Sequence, residues 1–220
     1  MARVTFDLTM SLDGYVAGPN MTPDQGLGEG GEQLHDWAIS TLAWREEHGK
    51  TGGQENIDSD VMEESIQNVG AHIMGRRMFG GEGEWDNKAW GDKPWEGWWG
   101  DEPPFRKPVF VLTTHPREPL IKGETTFTFV TDGIESALAQ AQAAAGDKDV
   151  AIAGGASAAQ QYLKAGLVDD FQVHVAPQLL GQGVRLFENL GPEPPKLELT
   201  RVLHSPAVTH MRFLVKKPAR

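Results

Sequence analysis

Three short apolar runs constrain this chain more than any other feature. His72-Ile73-Met74, Val109 to Leu112 and Val150 to Ala153 each break off directly into glycine or threonine. Runs of this kind, bounded by turn residues, read as strands buried on both faces, as in a parallel sheet covered by helices. Helical stretches separate them. Asp132 with Glu135 reads as a capping box ahead of an alanine-rich helix that Gly146 ends. A chain that alternates in this way builds a partly parallel sheet.

Around these runs the pattern is also regular. Residues 3–10 alternate apolar and polar, and Ser11-Leu12-Asp13-Gly14-Tyr15 closes that first strand with a turn. After a glycine-rich loop over residues 18–31, Leu34, Trp37, Ala38 and Leu42 recur at helical spacing. Met62, Ile66 and Val69 form the stripe of a second helix that Gly70 ends. Lys50 and Thr51 lack the upstream glycine of a P-loop. Over the last fifty residues Phe171, Val173 and Val175 alternate, as do Leu197 and Leu199, then Met211, Phe213 and Val215, with Ser205-Pro206 as the final turn. This end reads as antiparallel. The expectation is one continuous α/β domain over residues 1–220, a mixed central sheet with flanking helices and an antiparallel C-terminal hairpin.

Residues 80–104 interrupt the alternation. Trp85, Trp90, Trp95, Trp98 and Trp99 sit there among glycine, proline and aspartate. So long a loop is usually functional or an interface element, and the plainer reading is a loop that packs its indoles over its own domain.

Charge narrows the partners. Twenty Lys and Arg against 31 Asp and Glu give a net charge of -11, which argues against nucleic acid, because phosphate backbones require a surplus of cations. With no cysteine, disulfides, thiolate catalysis and sulfur-ligated zinc are excluded. The opening residues are too polar for a signal peptide and no long apolar run follows, so a soluble cytoplasmic protein, not a membrane one, is expected.

The three strand ends carry the candidate chemistry, at the edge where open α/β sheets bind ligands. Gly75 is followed by Arg76 and Arg77, whose guanidinium forks suit a phosphate; a solvated surface pair is the alternative. Thr113 and Thr114 offer hydroxyls for a phosphate or ribose, or simply turn chemistry. Gly154 and Gly155, with the small Ala156 and Ser157, suit close approach of a pyrophosphate to a helix N-terminus, or a tight turn. The third glycine and later acidic residue of the usual dinucleotide fingerprint are missing.

These segments also carry a family resemblance. Ser11 to Tyr15, Ile73-Met74-Gly75-Arg76-Arg77, the strand from Val109 to Thr114, the Gly154-Gly155 turn and Ala176-Pro177-Gln178-Leu179-Leu180-Gly181-Gln182-Gly183 resemble, in this order, the reductase domain at the C-terminus of the bifunctional riboflavin-biosynthesis deaminase-reductase. That resemblance covers nearly the whole chain and implies a dihydrofolate reductase-like fold and an NADPH-dependent reductase. It implies that Gly75, Arg76 and Arg77 hold the 2′-phosphate of NADPH, that Leu112, Thr113 and Thr114 lie beside its adenosine part, and that Gly154, Gly155, Ala156 and Ser157 hold its pyrophosphate. It also implies a homodimer, and the indoles of the long loop, costly to leave in water, with the alternating apolar faces of the terminal strands are expected to supply part of that interface. The deaminase half is missing, and Glu32-Gln33-Leu34-His35-Asp36-Trp37 stands where the folate enzymes carry Trp-x-Leu-Pro.

Hydride transfer needs a proton as well as a hydride. Two carboxylates are candidates for the donor: Asp13 at the end of the first strand, otherwise a turn aspartate, and Asp36 on the first helix, otherwise a solvated one. The histidines fit no metal spacing, and His174, His204 and His210 read as the outer face of the terminal strands. The expected function is reduction of a small heterocyclic substrate, pterin-like or a ribosyl-pyrimidine. The alternative is a nucleotide-binding or sensor protein without turnover.

Overall fold

The computed structural model describes residues 2–22, 24–80, 90 and 94–216. In chain order the elements are β1 (Val4–Ser11), β2 (Tyr15–Ala17), a 3-10 turn (Glu32–His35), α1 (Asp36–Ile39), α2 (Leu42–Glu47), α3 (Ile57–Gln67), β3 (Val69–Gly75), α4 (Arg76–Phe79), β4 (Pro108–Leu112), β5 (Leu120–Lys122), β6 (Thr125–Val130), α5 (Ile134–Ala145), β7 (Asp149–Gly154), α6 (Ala156–Lys164), β8 (Asp170–Ala176), β9 (Val184–Arg185), β10 (Lys196–His204) and β11 (Thr209–Lys216).

Nine of these strands form one sheet in the order β10-β11-β8-β1-β7-β3-β4-β6-β5, while β2 and β9 pair separately. From β8 through β6 every pairing is parallel; β11 against β8, β10 against β11 and β5 against β6 are antiparallel. The expected mixed sheet and its C-terminal hairpin are therefore present, with Ser205 N–H donating to Val208 O at 3.0 Å in the last turn. β8 is the exception to the antiparallel reading of this end, since it runs parallel to β1 from Thr5 opposite Asp170 to Ser11 opposite Ala176.

The core explains the order. Phe6 of β1 stacks on Phe171 of β8 at 4.5 Å, and both rings are enclosed, each stabilising the fold by roughly 1.5 to 3 kcal/mol. On one face α5 buries Ala137, Leu138, Ala141 and Ala145, a helical stripe of small residues that lets the helix lie close to β3 and β4. Gly70 shows how close: a Cβ there would stand 2.8 Å from the Ala145 backbone. That contact corrects the expected second helix. α3 ends at Gln67, and Val69 and Gly70 open β3, the glycine serving a helix crossing and not a helix stop.

Three further expectations change. The first helix is broken into the 3-10 turn, α1 and α2, with Thr41 Oγ1 accepting from Trp44 N at 3.2 Å to start the last piece. No capping box forms on α5, because Gly133 occupies the cap position with φ +93, leaving Asp132 one residue too early and exposed. His174 and His210 are buried, 4% and 1% exposed, because β8 and β11 lie inside the sheet with α1 and α3 over them; His204, near the edge, is exposed as expected.

Trp85 lies outside the described residues. Trp90, Trp95, Trp98 and Trp99 pack on their own domain, around Phe79, Phe105, Phe127 and Phe129. Their indole N–H groups donate to backbone carbonyls: Trp90 to His115 at 3.1 Å, Trp95 to Phe79 at 3.0 Å and Trp98 to Met78 at 2.9 Å. These four indoles thus pack over their own domain, as the plainer reading has it, and Trp98 and Trp99 also line the cleft described below.

Candidate nucleotide-binding cleft

β7, β3 and β4 are adjacent and parallel, so their carboxyl ends open side by side. Register sets their height: Met74 lies opposite Gly154, and Gly75 opposite Leu112. With strands about 4.8 Å apart, Gly154, Gly75 and Leu112 make a short row along one edge. A cleft of about 840 Å³ opens over that row. Gly75, Arg76 and Arg77 line it, as do Leu112, Thr113 and Thr114, and Gly154, Gly155, Ala156 and Ser157. Three segments picked out separately along the sequence thus meet in one cavity.

Each end of the row has its own chemistry. Gly154 takes φ +129, where a side chain would be strained, and a Cβ would press on Met78 Sδ at 3.2 Å and Leu8 Cδ2 at 3.4 Å. Gly155, joined to it by a cis peptide bond, differs: a Cβ there would meet nothing within 4 Å. The backbone is accordingly bare toward the cleft at the start of α6. The first helical hydrogen bonds run from Ala158 and Ala159 N to Gly155 O, so the Ala156 and Ser157 amides precede them and no side chain caps this end. An anion with several oxygens is what such an end accommodates.

The two arginines separate. Arg76 is 5% exposed, its guanidinium 3.6 Å over the Trp90 ring, and its Nη1 donates to Gly80 O. Arg77 is exposed on the cleft wall. Thr113 is buried and its Oγ1 accepts from His115 N at 3.2 Å, which shapes the turn; Thr114 is the exposed hydroxyl.

Neither candidate acid lines the cleft. Asp13 accepts from Ser11 Oγ at 2.6 Å, Gly181 N at 2.7 Å and Leu180 N at 3.1 Å, bonds that hold its carboxyl down to about 2. A group ionised to that pH does not donate protons near neutrality. Its work is to pin the 180–181 turn to the end of β1, beside Leu12 N donating to Gln178 O at 2.8 Å. Asp36 is exposed at the start of α1.

The cleft is also lined by residues that the sequence pattern missed. Glu32 and His35 face it, together with Thr9, Met21, Leu27 and the insertion's Trp98 and Trp99. A 3-10 turn places i and i+3 on one side, which selects Glu32 and His35 and turns Asp36 away. Burial pushes the His35 imidazole below its ordinary value, so it is neutral at neutral pH. Trp98 also touches the loop across the cleft, its ring 3.3 Å from where a Cβ on Gly26 would stand. Among the described residues no group of three histidines, aspartates or glutamates is placed to hold a metal, and no helix is long and apolar enough to cross a membrane.

Comparison with known proteins finds solved structures of similar fold. A protein from a Shewanella species assigned to riboflavin biosynthesis superposes with a TM-score of 0.61 at 21% identity, covering 98% of this chain and 99% of that one. A pyrimidine reductase-like protein of Corynebacterium diphtheriae gives 0.55 at 12% identity, covering 99% and 93%. The diaminohydroxyphosphoribosylaminopyrimidine deaminase/5-amino-6-(5-phosphoribosylamino)uracil reductase of Thermotoga maritima gives 0.57 at 14% identity; 98% of this chain matches 57% of that longer one. No curated protein matches the sequence. At these identities the likeness is one of fold, the dihydrofolate reductase-like α/β architecture. The family model of the RibD C-terminal domain matches residues 2–211, and the chain belongs to that family.

Proposed function

We propose that the chain is an NADPH-dependent reductase acting on the C=N or C=O group of a small heterocyclic compound of the ribosyl-pyrimidine or pterin kind. The observation that carries this reading is the convergence of ten residues from three strand ends on one cleft, with a bare Gly155 backbone at a helix N-terminus and an exposed Arg77 nearby. Membership in the RibD C-terminal family and neighbours described as pyrimidine reductase-like or uracil reductase support it.

The cleft fits the cofactor chemically. Backbone amides at Ala156 and Ser157 would bind the pyrophosphate, Arg77 with Arg76 behind it the 2′-phosphate, and Leu112, Thr113 and Thr114 the adenosine part. Bound there, NADPH supplies a hydride. Met21, Leu27, Trp98 and Trp99 exclude water from the rest of the cleft, where Thr9, Glu32 and His35 offer the polar contacts that orient a ring. The proton comes from a group other than Asp13.

Calorimetric titration with NADPH, followed by loss of its absorbance against a panel of pterins, ribityl-pyrimidines and simple ketones, tests the proposal. Binding with turnover of one acceptor is expected; no binding refutes it. Neither predicted carboxylate lines the cleft, and that observation keeps a nucleotide-binding protein without turnover as the second reading. Binding without oxidation of any acceptor selects it.

A homodimer is also proposed, now through the edge strand and not the tryptophans. Leu197, Leu199 and Val202 on β10 are 43%, 53% and 50% exposed at the open edge of the sheet, a strand that a second copy would cover. Light scattering at micromolar protein reads a dimer mass if so; a monomer mass rejects it.

A further inference from the structure

Two glycines far apart in the sequence lie against the same indole. Gly80, which follows α4, takes φ +82, and a Cβ there would stand 2.6 Å from Trp98 Nε1 and Cε2. Gly26 has a φ outside the left-handed region, yet a Cβ there would stand 3.3 Å from Trp98 Cη2. The pyrrole side of the ring therefore faces Gly80 and the far edge of its benzene ring faces Gly26. Nε1 donates to Met78 O at 2.9 Å. Trp95 packs on the ring with centres 4.8 Å apart at 66°, and is itself held by its Nε1 donating to Phe79 O at 3.0 Å. A hydrogen bond, a second indole and two stretches of bare backbone fix Trp98 in place.

The indole joins two walls of the cleft. Met78 lies on α4 after β3, and Gly26 on the loop between β2 and the 3-10 turn; both line the cavity together with Trp98. β2 and the 3-10 turn pack on β1, and the sheet order puts β1 beyond β7, on the other side of the glycine row from Thr113 and Thr114. Trp98 thus reaches from the proposed nucleotide site to the part of the cleft left for an acceptor.

The surface there divides by polarity. Leu8, Val16, Met21 and Leu27 supply aliphatic atoms, while Thr9, Glu32 and His35 supply polar ones. A flat heterocycle divides in the same way, with apolar π faces and its donors and acceptors in the plane at the rim. A ring wall that is already fixed pays little ordering entropy when another ring stacks on it.

We propose that Trp98 determines the specificity of this site: it is a fixed aromatic wall that selects a flat heterocyclic acceptor by stacking and disfavours a compound without a ring. The inference rests on the reductase reading and narrows it, since a pteridine or pyrimidine ring becomes a good acceptor and a simple ketone a poor one. Trp98 takes part in no bond-making or bond-breaking step. Gly26 is a positioning residue that acts through Trp98.

The experiment titrates pterin into the full chain saturated with NADP+ and follows the pterin fluorescence, which stacking on an indole quenches. Wild type, Trp98→Ala, Gly26→Ala and the double variant are compared, with NADP+ affinity read by calorimetry. Stacking on an aromatic side chain is worth about five- to hundredfold in affinity, so Trp98→Ala should weaken pterin by that factor, reduce the quench, and weaken NADP+ less. The methyl group of Gly26→Ala must displace the indole by a few tenths of an ångström. It should change the pterin Kd by at least about twofold while Trp98 is present and not in the Trp98→Ala background. In turnover, the preference in kcat/KM for a pterin over a simple ketone should fall in Trp98→Ala by the factor seen in Kd.

Unchanged pterin affinity in Trp98→Ala overturns the proposal, and so does an equal loss for NADP+, which marks a collapsed cleft. Should Trp98→Ala fail to fold, Gly26→Ala carries the test, and an unchanged pterin Kd in that variant overturns it. A wild type that binds NADPH but no pterin, or that reduces only a simple ketone, sinks the aromatic wall and leaves the cofactor assignment standing. A wild type that binds no NADPH removes both.

Discussion

Replacing Arg77 with alanine separates the two arginines that the sequence presents as equals. Arg77 is exposed on the cleft, and a charge-assisted contact to a 2′-phosphate contributes about 1.5 to 3 kcal/mol. At 1.4 kcal/mol per decade, Arg77→Ala should weaken NADPH by about ten- to hundredfold and leave NADH unchanged. Arg76→Ala acts elsewhere. Its guanidinium lies 3.6 Å over Trp90 and bonds Gly80 O, and a desolvated cation–π contact is worth about 2 kcal/mol. In a chain of this size that loss lowers Tm by about 4 to 8 °C. Both dissociation constants, read by calorimetry on wild type and both variants alongside thermal melts, check the assignment. Equal wild-type affinities for NADPH and NADH would refute the phosphate argument, and an Arg77→Ala variant that keeps its NADPH preference while a folded Arg76→Ala loses it would reverse the roles.

Three further outcomes are expected. Gly155→Val, at an ordinary φ of -75 with open space ahead of its Cβ, should keep its melting temperature and bind NADPH at least about tenfold more weakly, the loss of one charge-assisted contact; a lowered melt with unchanged affinity makes the glycine structural. Asp13→Ala should speed hydrogen exchange at the Leu180 and Gly181 amides and leave any activity's pH profile unmoved, and loss of the fall in activity toward high pH would restore Asp13 as a donor. Acid should destabilise the fold well above the carboxylate range. His72 and His174 are pushed down to about 3 by burial, below their unfolded value, so the unfolded chain binds the extra protons first. Their stability is full above about pH 6.5, and each loses up to about 1.4 kcal/mol per unit as pH falls from there toward 3. His72→Asn should flatten that slope in urea unfolding at pH 7 and pH 5; an identical slope removes His72 from the account.

The strand ends were legible because parallel strands covered on both faces leave unbroken apolar runs, and because Gly75 and Gly154 punctuate them. What no local pattern carries is that β7, β3 and β4 are neighbours, which turns three weak motifs into one cleft. The choice between the two readings of Asp13 is hidden for the same reason: its bonding partners lie at Leu180 and Gly181, 167 and 168 residues away. Glu32 and His35 were hidden by period, since a 3-10 turn presents a different face from the α-helix that Leu34, Trp37 and Ala38 suggest. His174 and His210 alternate with apolar neighbours as outward residues would, but strands inside a sheet have no outer face once α1 and α3 cover it. Gly70 and Asp132 failed by one or two positions, where a helix crossing and a left-handed Gly133 displaced the ends that composition marks.

The most direct measurement is a crystal structure of the protein grown with NADPH. The pyrophosphate should lie against the amides of Ala156 and Ser157, the 2′-phosphate within hydrogen-bond distance of Arg77, and the nicotinamide toward Thr9, Glu32 and His35. A cofactor bound elsewhere, or a cleft that stays empty at saturating NADPH, contradicts the account.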